Sequence, residues 1–157
     1  MSFIFGIESD GPSVILTEKA VESMVRYRQI SINSDEAGGQ LFAKFEGCNT
    51  IIVEATKPKA LDRRSRYGFI PSQWLQRMEI RSQYKLGNHF VGDWHTHPQP
   101  IPSPSGEDVK SMVDCYRKSR HELKAFLMVI VGMAETPENL FVCLVNRNGI
   151  SKLRLHT

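Results

Sequence analysis

The stretch "WHTHPQPIPSPSGED", residues 94–108, gathers the side chains best suited to chemistry into one short span. His95 and His97 sit at i and i+2, and along a strand such positions face the same way, so both imidazoles enter one space. Pro98, Pro100, Pro102 and Pro104 then fix φ and remove backbone donors, giving a stiff connection that returns the chain to a set place. Ser105 reads as the N-cap of the next helix, and Asp108 lies in that helix's first turn. Two neutral imidazoles and one carboxylate, with a fourth position left for water, are how hydrolases hold catalytic Zn²⁺. Each part also has a plainer use. Ser105 and Asp108 suit an ordinary cap with a first-turn acid. The prolines suit a polyproline II ligand, although their alternate spacing forms no P-x-x-P.

A hydrolytic centre needs a base as well. Glu107 is a poor choice, because it neighbours Asp108 on a helix and points roughly 100° away from it. Glu36, in "SDEAGGQLF", stands just ahead of a strand that carries two glycines, where backbone can pass close to a metal. It reads either as that base or as a solvated loop acid. Asp93 shares the parity of His95 and His97 and reads either as an acceptor for a ligand's other ring nitrogen or as a solvated strand end. Trp94 and Thr96 have the opposite parity, which sends Trp94 to the core.

These residues need a frame. "FIFGI" and "SVILT" read as short strands, followed by a helix capped by Thr17 with Ala20, Val21, Met24 and Val25 on one face. Residues 38–45 and 50–55 read as a hairpin around "EGCN". The segment "KPKALDRRSRYGF" breaks every period and reads as a loop. Beyond it, helical spacing runs through Trp74, Leu75, Met78 and Ser82, with Pro71 at the start. "HFVGDWH" reads as a strand, and "GEDVKSMVDCYRKSR" as a helix with Val109, Met112, Val113 and Tyr116 inward. "LKAFLMVIVGM", "LFVCLVN" and "ISKLRLH" read as three closing strands. The expected class is α+β, a mixed sheet flanked by helices rather than a doubly wound one.

At 157 residues and 41% hydrophobic, the chain is expected to form one domain over 1–157. With 20 Lys and Arg against 17 Asp and Glu, its surface is not built for nucleic acid. Cys48, Cys115 and Cys143 are odd in number and far apart, which argues against a disulfide framework or thiolate zinc site and for buried, reduced thiols. The longest apolar run, 125–134, is too short to cross a bilayer, and no basic-then-apolar leader opens the chain. A cytoplasmic protein with no membrane contact is expected.

Taken together, "DEAGGQLF" and "GDWHTHPQPIPSPSGED" resemble the JAMM or JAB metalloprotease signature: a glutamate before a glycine-containing strand, then H-x-H-P, then S-x-x-D. The resemblance implies the JAB/MPN fold, a curved mixed sheet between helices in a cytidine-deaminase-like sandwich. It implies one Zn²⁺ per chain held by His95, His97 and Asp108, with Glu36 as general acid/base and Ser105 as hydrogen-bond donor to the oxyanion. Within the family, the wording is similar to small bacterial JAB isopeptidases encoded beside ubiquitin-activating and ubiquitin-conjugating-like enzymes in CBASS antiphage operons. There the implied substrate is a protein with an extended C-terminal tail, a conjugate of a cGAS-like nucleotidyltransferase.

The resemblance also implies a tail-binding role for the basic stretch from Lys57 to Tyr67, with Arg63, Arg64 and Arg66 as substrate contacts. A solvated loop is the plainer use, and nucleic-acid contact a lesser one, since aromatics are scarce there. Two other functions stay open: trimming the C-terminus of a ubiquitin-like or sulfur-carrier protein, and a non-catalytic scaffold. The scaffold sits poorly with a full ligand set.

Overall fold

The computed structural model describes residues 1–31, 33–59, 63–65, 68–70 and 72–157, with 63–65 and 68–70 described by backbone. Among these, nine strands form one sheet in the order β10-β9-β8-β7-β3-β4-β2-β1-β11. β1 (Phe3–Gly6) and β2 (Ser13–Leu16) form the first hairpin, and β3 (Gly38–Glu46) and β4 (Asn49–Ala55) the second. β2 joins them by running parallel to β4. β7 (His89–Thr96) lies antiparallel to β3 and parallel to β8 (Phe126–Val131), which pairs with β9 (Leu140–Asn146). The sheet is thus mixed, as expected.

The segment "ISKLRLH" forms two strands rather than one. β10 (Gly149–Lys152) pairs with β9 at one edge of the sheet, while β11 (Arg154–His156) pairs with β1 at the other. Only Leu153 separates them, buried and donating its N–H to the Val142 carbonyl at 2.9 Å. Consecutive strands can reach opposite edges only if the sheet curls almost into a barrel.

α1 (Glu18–Val25) packs on β4 and buries Ala20, Val21 and Met24. Thr17 caps it, accepting from Ala20 N–H at 3.3 Å and donating to the Ile52 carbonyl at 2.7 Å. α3 (Gly106–Lys118) packs against β8 to β10, with Met112 inward. β8 is buried at all six positions, because apolar clusters lie on both its faces.

α2 (Gln73–Lys85) is the expected helix, but Trp74 is 63% and Met78 46% exposed, and the residue it buries is Gln83. Gln83 accepts from the Asn88 side chain at 2.8 Å, so a polar contact, invisible to an apolar period, sets the inward face. Pro71 lies outside the described residues. Part of the expected loop at 57–69 is a two-stranded ribbon, β5 (Arg63–Ser65) with β6 (Gly68–Ile70), and strands this short leave no alternation to read. The side chains of Arg63 and Arg64, and Arg66 altogether, lie outside the described residues. Of the thiols, Cys143 is buried, Cys115 half-buried and Cys48 exposed, so burial holds for Cys143 alone. Among the described residues, no helix is long and apolar enough to cross a membrane.

A bulge in β7 aims the site. The register against β3 shifts between Leu41–Gly92 and Phe42–Phe90, so Val91 is the extra residue and parity flips there. Phe90 and Asp93 then share the face under α3, while Trp94 turns to the opposite core. Gly92 makes this possible, since a Cβ there would overlap the Leu127 carbonyl of β8.

Candidate metal centre

β7 delivers His95 and His97 on the α3 side of the sheet, and the strand geometry continues past its end: His97 N–H donates to the Val131 carbonyl at 3.0 Å. The proline segment is held on the end of β8, where Met133 N–H donates to the Gln99 carbonyl at 2.7 Å and Ala134 N–H to that of Pro100 at 3.1 Å. This returns the chain to α3, whose first turn closes a capping box. Asp108 N–H donates to Ser105 Oγ at 3.0 Å, and Ser105 N–H donates to Asp108 Oδ2 at 2.8 Å.

That box points Asp108 at the histidines. Its Oδ2 lies 3.3 Å from His95 Nε2 and 3.1 Å from His97 Nε2, and the two nitrogens are 3.2 Å apart. A tetrahedron with bonds of about 2.0–2.1 Å has edges of about 3.3–3.4 Å, so three donors at these spacings fit one face of a zinc site. The tautomer fits as well. Gln99 Oε1 accepts from Ser103 N–H at 3.2 Å, which identifies it as the oxygen, and it lies 3.3 Å from His97 Nδ1. With Gln99 accepting the proton on Nδ1, His97 would have Nε2 left to offer a bound metal. Among the described residues, this trio is the group able to hold a metal.

Burial alone would raise the Asp108 carboxyl, but hydrogen bonds and charge from His95 and His97, and the Ser105 N–H, hold it well below the usual carboxylate range. His97 is lowered by burial and raised more by Asp108, with help from Gln99 and Glu36, so it sits above the usual histidine value.

Glu36 lines the same cleft, a cavity of about 730 Å³, with Ser105 and the three donors. Burial raises its carboxyl, His97 and His95 lower it, and Asp108 adds to the rise, which suits a proton acceptor. The sheet brings it there. Gly38 stands opposite His95 and presents no side chain, and Thr96 N–H extends the pairing to the Ala37 carbonyl at 2.9 Å. Gly39 lets β3 pass under the Trp94 indole, which donates to the Thr56 carbonyl at 3.0 Å; a Cβ at Gly39 would overlap that carbonyl. The Ser105 Oγ accepts a backbone N–H, while its own proton meets no acceptor among the described residues and is free to point into the cleft.

Two supports have no counterpart in the sequence reading. Thr96 Oγ1 accepts from Ala37 N–H at 2.9 Å and donates to Gln29 Oε1 at 3.1 Å, and Gln29 Nε2 donates to the Ser34 carbonyl at 2.8 Å. Both side chains are fully buried, so this chain clamps the segment carrying Glu36. A lone glutamine in "RYRQIS" carries no motif. Gln99, beside His97, is the acceptor sought at Asp93, whose Oδ1 is buried without a hydrogen bond among the described residues. Burial pushes Asp93 up to about 7.

If the clamp sets Glu36, Gln29→Leu is expected to lower kcat about 10- to 100-fold while KM and zinc content stay near wild type. Steady-state kinetics beside metal analysis check this. A variant with wild-type kcat would show that Glu36 needs no such support.

A curled mixed sheet flanked by helices, carrying two histidines and a capping-box aspartate around a cleft, defines an α+β protein with three side chains spaced so that they could hold a metal. The chain belongs to the prokaryotic homologs of the JAB domain, whose family model matches residues 17–144. It is 28% identical over 144 residues to a protein of Escherichia coli named CD-NTase/cGAS isopeptidase, covering 90% of this chain and 87% of that one. A protein of the same name from Pseudomonas aeruginosa is 30% identical over 137 residues, covering 84% and 86%. The solution structure of a protein from Desulfitobacterium hafniense shares the fold with a TM-score of 0.61 and 25% identity, covering 87% of each chain.

Proposed function

We propose that the chain is a zinc-dependent isopeptidase that hydrolyses the amide between a protein's C-terminal tail and a target lysine. The released protein would be a cGAS-like nucleotidyltransferase, in bacterial antiphage defence in the cytoplasm, with 1–157 acting as one catalytic unit. The observation that carries this is the convergence of His95, His97 and Asp108 within 4.8 Å of one another. The names of the relatives support the substrate class.

Zinc held by His95, His97 and Asp108 would polarise the scissile carbonyl and acidify the attacking water. Glu36 takes the proton from that water as its oxygen bonds to the carbonyl carbon. The Ser105 hydroxyl donates to the carbonyl oxygen as negative charge grows there. Glu36 then passes the proton to the lysine ε-nitrogen as the C–N bond breaks, leaving a tail carboxylate and a free amine. Side-chain exposures of 17%, 12% and 20% for His95, His97 and Asp108 leave the centre within reach of solvent and of a substrate in the cleft.

The experiment compares two substrates: a nucleotidyltransferase tail joined to a lysine, and a ubiquitin-like precursor carrying residues beyond its Gly-Gly end. Faster cleavage of the first supports the proposal, and cleavage of the second alone would replace it with a maturation role. Ser105→Ala is expected to lower kcat by about 10²- to 10³-fold. The lost cap costs about 0.5–2 kcal/mol of stability, and Ser105→Thr restores both. An alanine variant that loses stability but keeps kcat would confine Ser105 to capping.

A further inference from the structure

α2 inverts the usual arrangement of a surface helix, which turns its apolar stripe to the core. Here Gln83 is the buried residue and Gln76 lines the cleft, while Trp74 and Met78 are exposed. At about 100° per residue, Trp74, Arg77, Met78, Arg81 and Lys85 share one arc about 100° wide, opposite Gln83. All five are exposed. The helix's one acid, Glu79, lies off this arc, where its Oε1 accepts from Gln83 Nε2 at 3.3 Å and its Oε2 is 3.9 Å from Lys59 Nζ. Arg77, Arg81 and Lys85 meet no carboxylate among the described residues. The arc begins at the cleft. α2 runs through residues 86–88 into β7 and lies antiparallel to it: Gln83 holds Asn88 at one end, and at the other the Gln76 carbonyl accepts from Gln40 Nε2, on the residue opposite Asp93. The first turn of α2, with Trp74, therefore stands toward the His95 end of β7, and the face runs from there about 16 Å to Lys85.

We propose that this face of α2 docks an acidic surface on the folded body of the protein whose C-terminal tail enters the cleft. The proposal deepens the isopeptidase reading and rests on it. Of the two proteins in an isopeptide conjugate, the tail's owner is the same whatever lysine it is joined to, so it is the one that a fixed surface can read. The residue types fit a protein partner, because aromatic residues, Met and Arg are enriched at interfaces and an exposed Trp is a typical anchor. Three cations without a neighbouring acid set the partner's sign. Body and tail then bind as two linked modules, and a hold on the body raises the concentration of the tail at the metal centre. Such a surface selects the substrate protein without reading more of its tail.

The test compares two conjugates to the same lysine peptide: a whole cGAS-like nucleotidyltransferase joined through its C-terminus, and a synthetic peptide of its tail alone. Wild-type kcat/KM is expected to be about tenfold or more higher for the whole protein, mainly through a lower KM. That advantage should shrink as salt is raised, since exposed charges are screened. Trp74→Ala and the double variant Arg77→Glu with Arg81→Glu should each remove most of it while cleaving the tail peptide as the wild type does. Zinc content and melting temperature report whether the variants are intact. Equal wild-type kcat/KM on both conjugates, or variants that keep the advantage, would overturn the docking face and leave the isopeptidase reading standing. Variants that slow the tail peptide equally would assign α2 to the tail instead. If the same variants lose only the ability to shift a mixed-sequence DNA duplex, the face is a nucleic-acid contact and the proposal fails. Cleavage of neither conjugate by the wild type would sink the isopeptidase reading itself, and the docking face with it.

Discussion

Glu36→Gln is expected to bind zinc as the wild type does and to lose kcat by about 10²- to 10⁴-fold, the range that general acid–base catalysis supplies. The amide keeps the shape of the carboxyl and cannot take the proton. Stability should not fall, because burial already works against the ionised carboxyl at this position. Loss of turnover with metal and fold intact therefore separates Glu36 from the ligands. Metal analysis, thermal melting and single-turnover kinetics on one preparation check it. A glutamine variant cleaving at the wild-type rate would send Glu36 back to being a half-buried loop acid.

Asp108→Asn is expected to remove metal and activity together while leaving α3 in place. The Asn side-chain oxygen can still accept from Ser105 N–H, so the capping box survives, but the negative charge that faces both Nε2 atoms is gone. Gln99→Ala gives the scale. It removes a supporting hydrogen bond and not a ligand, and should weaken zinc binding about 10- to 100-fold. Asp108→Asn should weaken it by more than that. Zinc titrations of the variants beside helical circular dichroism decide the order. Equal affinities for Asp108→Asn and wild type would place the metal elsewhere.

The parts of the site legible in the sequence are those whose geometry is local. His95 and His97 share a face because a strand alternates, and Asp108 turns inward because a capping box closes over Ser105; both follow from neighbours within a few positions. Glu36 arrives by the pairing of β3 with β7, a contact across about sixty residues that spacing alone cannot specify, so there the family signature was needed. Gln29 and Thr96 were unreadable for a further reason. Their importance lies in one hydrogen bond spanning 67 positions between buried polar groups, and neither apolar periods nor motifs register it.

The fold divides in the same way. β8 announces itself as a continuous apolar run because both its faces are covered, and α1 by its cap and its apolar stripe. α2 shows its length but not its face, since Gln83 turns inward while Trp74 and Met78 face solvent. The break at Leu153 is a consequence of the sheet's curl, a property of all nine strands rather than of "ISKLRLH".

The most direct test measures zinc by mass spectrometry in protein purified without added metal, wild type beside His95→Ala, while following cleavage of an isopeptide conjugate in the same samples. The expected result is about one zinc per chain together with cleavage in the wild type, and neither in the variant. Wild-type protein that stays metal-free when zinc is supplied, or a His95→Ala protein that cleaves as well as the wild type, would contradict a metal-dependent hydrolase built on His95, His97 and Asp108.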